Sequence, residues 1–96
     1  MITVSSILWV WKTEGAGRWY FLTIPEDQSG ELRGESLVRR GGFGSVPVEA
    51  RIGNVSWRTS VFPQKSGGYI LPVKKEVRRS VGIGAGDDVS VSIALA

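Results

Sequence analysis

Between Ser45 and Pro63 the chain reads SVPVEARIGNVSWRTSVFP, two runs of alternating apolar and polar residues on either side of Gly53-Asn54. Period-two alternation puts Val46, Val48, Ala50 and Ile52 on one face of a strand. Val55, Trp57, Thr59 and Val61 form the corresponding face of the next strand, with Ser56, Arg58, Ser60 and Phe62 on the other. A two-residue link containing glycine between such runs is a β-hairpin turn, because glycine accepts the positive φ that a tight turn requires. This hairpin commits the chain to antiparallel β-structure.

The remaining segments fit the same plan. Residues 2 to 12 alternate, and from Ile7 onward both faces are apolar, which predicts one central strand. A turn at Glu14-Gly15-Ala16-Gly17 leads into RWYFLTI, and Pro25 ends that strand because proline cannot extend the ladder. Ser29 is placed to cap a short helical turn carrying Leu32, although Gly30 and Gly34 make it a poor helix. Arg39 to Gly44 is read as a loop, Pro63 to Gly68 as a turn, and YILPV as a short strand interrupted by Pro72. In KKEVRRSV, Val77 and Val81 share one helix face while Lys74, Lys75, Arg78 and Arg79 occupy the others. Gly82 then fits the left-handed position after the helix, with Ile83 supplying the apolar contact of a Schellman ending. The last strand, Asp88 to Leu95, turns Val89, Val91, Ile93 and Leu95 inward.

Read in order, this is ββ-(Pro, α)-β followed by ββ-(Pro, α)-β, with Pro25 and Pro72 at corresponding positions about half the chain apart. The expected fold is mainly β: a single-chain double-split pseudo-barrel of about six strands with one or two short capping helices. A length of 96 residues supports one hydrophobic core, so residues 1–96 are read as a single domain.

Composition excludes several functions. With no cysteine and no histidine, thiol redox chemistry, disulfides, the usual nucleophile–base pairs and most transition-metal sites are out of reach. The N-terminal MITVSSILWVWK lacks the basic start and cleavage site of a secretory signal, and its apolar part is too short for a membrane span. A soluble, cytoplasmic protein with no membrane partner is expected. A net charge of +3 and a pI near 9.7 permit nucleic-acid binding without requiring it.

LPVKKEVRRSVGIGAGDDVSVSI resembles the strand-Pro-helix-Gly-Asp-strand pattern of the AbrB and MazE swapped-hairpin proteins, in which two chains intertwine into one barrel. Over nearly the whole chain, WYFLTIP, GFGSVPV, TSVFP, YILPVKKEVRRSVGI and GDDVSVSI are similar, in that order, to an uncharacterised bacterial family, domain of unknown function nineteen-oh-five. The resemblance implies that one chain holds the double-split barrel two AbrB-like chains build together, so a monomer is expected rather than a dimer. It carries no catalytic or binding residues that transfer to this sequence.

The residues themselves offer five constellations. A serine-lysine pair, Ser60 with Lys65 or Lys74, would need a desolvated lysine to act, so no catalytic residue is assigned and a non-enzymatic role is expected. Asp87 and Asp88, with Glu76, are too few for an oxygen-ligand cation site and read better as turn residues. RRGGFGS exposes backbone beside Arg39 and Arg40 but lacks the Lys-Ser/Thr ending of a phosphate loop and leads into a strand. No metal and no cofactor are implied.

Two constellations remain as binding candidates. Trp11, Trp19 and Trp57 beside Arg18 and Arg58 could form an aromatic and basic groove for a planar ligand or a single nucleic-acid strand, against the plainer reading that tryptophans in a small barrel pack its core. Arg39, Arg40, Lys74, Lys75, Arg78 and Arg79 are the candidate anion or nucleic-acid contacts. The helix segment from Lys74 to Arg79 carries +3, as much as the whole chain, but offers no Asn or Gln to read bases and is read first as a solvated cap. The expected function is a non-catalytic binding module for a small molecule or a partner protein; the alternative is an AbrB-like nucleic-acid-binding or regulatory protein.

Overall fold

The Gly53-Asn54 hairpin forms as its alternation requires, and the sheet grows outward from it. In the computed structural model, which describes residues 1–15, 17–38 and 44–96, the strands are β1 (Ile2–Ile7), β2 (Trp9–Thr13), β3 (Gly17–Ile24), β4 (Val46–Ile52), β5 (Val55–Pro63), β6 (Tyr69–Pro72) and β7 (Asp88–Leu95). A 3₁₀ turn, Glu26–Gln28, and helix α1 (Gly30–Val38) follow β3, and helix α2 (Lys75–Val81) follows β6. All pairings are antiparallel, in the order β1-β7-β4-β5-β6-β3-β2.

The expected first strand divides. It bends at Leu8, and its halves sit at opposite edges of the sheet: β1 pairs with β7 and β2 with β3. There are therefore seven strands rather than six, and this segment is not a central strand. The two edges meet at the bend because only Leu8 separates them. Leu8 is fully buried and exchanges backbone hydrogen bonds with the turn before β7, from its N–H to Asp87 O at 2.9 Å and from Gly86 N–H to its own carbonyl at 2.8 Å. The Thr23 N–H donates to Ser6 Oγ at 3.2 Å, and Trp9 Nε1 donates to Thr23 Oγ1 at 2.9 Å, which ties both halves to β3.

β5 is split in the same manner. Val55 to Val61 pair with β4, and Phe62 and Pro63 pair with β6. The broken β1/β2 strand and β5 are thus equivalents, as are β3 and β6, and β4 and β7. The remaining pairs, β3–β6 and β4–β7, each join one strand to its own equivalent. The pseudo-twofold expected from the two strand-proline-helix units is realised in the hydrogen-bond ladder, as a curled, mainly β half-barrel with two short helices.

Inside it, Val46, Val48, Ala50, Val61, Val91 and Ile93 are buried with the inward residues of β3 and β6. α1 packs against β4 and α2 against β5. Helix α1 is longer than the single turn expected, and Ser29 does not cap it with its side chain. Buried Ser29 Oγ instead donates back to Pro25 O at 2.6 Å, while its carbonyl accepts from Arg33 N–H at 2.9 Å. Leu95, expected inside, is 43% exposed because it ends β7 at the sheet margin. α2 ends as predicted: Gly82 is left-handed at φ 70°, and Ile83 N–H reaches Arg78 O at 3.1 Å.

Candidate functional site

Strand register decides where the aromatic residues go. Trp11 lies opposite Trp19, and Trp9 opposite Phe21, so all four share one face of the β2–β3 pair. The same face continues through Phe21 opposite Pro72 and Ile70 opposite Phe62. This is the outer face, since the intervening residues Leu22, Ile24 and Leu71 fill the core. Trp9 and Phe21 stack at 5.0 Å between ring centroids. Trp11 and Trp19 are 53% and 52% exposed, and together with Phe62 they line an open apolar hollow of about 750 Å³. The core-packing reading therefore fails for Trp11 and Trp19. It holds for Trp57, which points inward from β5 and is only 7% exposed.

Beside this hollow is a cleft of about 440 Å³ between the turn end of β3, the first half of β5 and the β6–α2 connection. Trp19, Tyr20 and Trp57 provide its aromatic surface. Its charged lining is Arg18, Arg58, Lys74, Lys75 and Arg78, five cations with no carboxylate. Trp19, Arg58, Thr59 and Pro72 line both cleft and hollow, so the two are adjacent and share these residues as their common wall.

Parts of the two sets of residues singled out from the sequence thus meet in space. Arg18, Trp19, Trp57 and Arg58 of the aromatic groove stand in the same cleft as Lys74, Lys75 and Arg78 of the anion contacts, and Trp11 lines the adjoining hollow. Arg79 is exposed outside the cleft lining, and Arg39 and Arg40 lie outside the described residues. Tyr20, Pro72 and Phe62 were not singled out, because their place depends on strand pairing and on the bend after Pro72.

The α2 cations are not equivalent. Arg78 lays its guanidinium 3.6 Å from the centroid of the Tyr20 ring and donates from Nη1 to Val73 O at 2.8 Å, which fixes the helix against β3. Lys74 and Lys75 are exposed. Among the described residues the ion pairs are Met1 with Glu31 and Arg33 with Glu26, and neither involves a cleft cation. Glu49, opposite Arg58 in the β4–β5 register, forms no ion pair with it. Five cations lining one cleft without an ion pair among the described residues favour an anion there, and the aromatic rings add contact area for a planar group.

The other acid candidates serve the backbone. Asp87 accepts the Gly84 N–H on Oδ2 at 2.7 Å, closing the turn before β7, in agreement with the turn reading. Among the described residues no group of acidic side chains is arranged to hold a metal ion, and no helix is long and apolar enough to cross a membrane.

No curated protein matches the sequence. One family model, Domain of unknown function (DUF1905), matches residues 5–93, a span that contains every cleft residue. The chain belongs to this family.

Proposed function

We propose that this protein is a non-catalytic binding module of the cytoplasm that takes up a small molecule in the cleft between β3, β5 and α2. The observation that carries this reading is the convergence of Arg18, Trp19, Trp57 and Arg58 with Lys74, Lys75 and Arg78 around one depression. Its volume, about 440 Å³, is that of a small-molecule pocket, which usually falls between roughly 300 and 1,000 Å³. The absence of cysteine suits a reducing compartment.

The test is a compound screen read by melting temperature and tryptophan emission, repeated on Trp19→Ala and Arg58→Ala, whose side chains are exposed and can be removed without emptying the core. Compounds that stabilise the parent protein and lose that effect in both variants support the reading. Compounds that act equally on all three proteins sink it.

A second reading is favoured by one feature, the carboxylate-free row of cations. On that reading the protein resembles the AbrB-like proteins and binds nucleic acid through phosphate contacts. Anisotropy of labelled duplex and single-stranded DNA at about 50 and about 200 mM salt separates the two, because phosphate-driven affinity falls steeply across that range. Four contacts would give a slope of roughly −3 to −4 in log K against log salt for duplex DNA. No binding at the lower salt removes this reading.

A further inference from the structure

We infer that the ligand of this site is an amphipathic anion, with a negatively charged head seated among the cleft cations and a flat apolar body laid across Trp19 into the neighbouring hollow. The inference rests on the small-molecule reading above and adds the chemistry of the ligand. Three observations carry it.

The first is the segregation of lining chemistry. The cleft holds five cations, whereas the hollow is built from Trp11, Phe21, Phe62 and Ile70, with Arg58 as its sole charged residue. Because Trp19, Arg58, Thr59 and Pro72 belong to both, a single molecule crossing that boundary meets cations at one end and aromatic faces at the other. A purely ionic ligand would leave the hollow unused, and a purely apolar one that filled both would desolvate the cleft cations without a partner.

The second is the asymmetry of a symmetric backbone. The strand-proline-helix unit that starts at Pro72 carries Lys74, Lys75, Arg78 and Arg79 against one acid, Glu76, whereas its pseudo-twofold equivalent over residues 25–38 carries Glu26, Asp27, Glu31 and Glu35 against one cation, Arg33. The scaffold does not require an excess of cations at this position, since the same architecture is built at the other end with an excess of acids. The positive charge is a property of this site.

The third is the exposure of large apolar side chains. Trp11, Trp19 and Phe62 gather on one continuous face that also holds Ile70 and Pro72, instead of being scattered singly over the surface. Tryptophan and phenylalanine in that arrangement offer flat contact for a ring system.

The experiment uses three matched probes: inorganic phosphate, 2-naphthol and 2-naphthyl phosphate, titrated calorimetrically into the full chain. The joined molecule is expected to bind about tenfold or more tightly than either fragment, because head and body then engage together. Lys74→Ala with Lys75→Ala should reduce 2-naphthyl phosphate to the affinity of 2-naphthol. Trp11→Ala with Phe62→Ala should reduce it to that of phosphate. All four side chains are exposed, and circular dichroism confirms that each variant is folded. If phosphate binds as tightly as the joined probe and loses its affinity in Arg58→Ala, the cleft is a small-anion site and the amphipathic inference falls while the small-molecule reading stands. If 2-naphthol binds as tightly, or if neither pair of substitutions changes the affinity, or if none of the probes binds, the inference is overturned. In those cases the compound screen decides the small-molecule reading separately.

Discussion

Four tryptophans of one chemical type have different roles here, and burial separates them. Trp57 fills the barrel beside β4 and also floors the cleft, so Trp57→Ala removes a core side chain and should cost roughly 3–5 kcal/mol in a urea titration. Trp19→Ala takes away a half-exposed ring and should leave stability within about 1 kcal/mol while weakening ligand binding. Equal destabilisation by the two substitutions would contradict this assignment. Among the α2 arginines, Arg78 stacks on Tyr20 and caps the Val73 carbonyl, whereas Arg79 faces solvent. Arg78→Ala is therefore expected to lower stability by about 1–2 kcal/mol and to reduce binding. Arg79→Ala should do neither, as denaturation and titration of the same two proteins would reveal.

At the scale of elements, the turns hold the plan together. Gly68, before β6, has φ +73°, and a Cβ there would press on the Ile24 carbonyl oxygen, a backbone atom that cannot swing away. Gly82, after α2, has φ +70°, but an added Cβ meets open space. Gly82→Ala should cost about 1–2 kcal/mol for the left-handed backbone alone, and Gly68→Ala distinctly more. Similar midpoints for the two variants in chemical denaturation would show that the contact at Gly68 relaxes. The elements legible in the sequence were those whose signals are local: the Gly53-Asn54 hairpin, the ends set by Pro25 and Pro72, and the Schellman ending at Gly82-Ile83 all formed as read. The misread ones depend on partners. Residues 2 to 12 read as one central strand because both faces are apolar from Ile7 onward, whereas Ile7 and Trp11 are exposed and the strand breaks at Leu8 to pair at opposite edges. Likewise α1, poor by propensity, is extended by the packing of Leu32 and its contact with β4.

Across the whole molecule, one connected core runs from Val4 through the β4–β5 hairpin to Val77 of α2. Because both pseudo-twofold halves share that core and β5 pairs with strands of each, the chain should unfold in one step, with tryptophan fluorescence and far-ultraviolet circular dichroism giving coincident transitions. Two separated transitions would mean that the halves fold independently. Leu8 is the joint between the sheet edges, and Leu8→Ala should lower stability by roughly 2–5 kcal/mol without splitting the transition.

Sequence alone determined the class of structure: antiparallel strands, two strand-proline-helix units in tandem, a chain without thiols or imidazoles, and the residue types that could meet an anionic or planar ligand. These follow from period, turn chemistry and composition, all of which act between near neighbours along the chain. Only the tertiary structure decided that Trp11 and Trp19 face outward, and that Lys74, Lys75 and Arg78 stand beside the cations of β3 and β5 around one cleft. Residues far apart in sequence become neighbours through strand order and register. A shift of one residue in that register would have turned every one of these side chains to the opposite face.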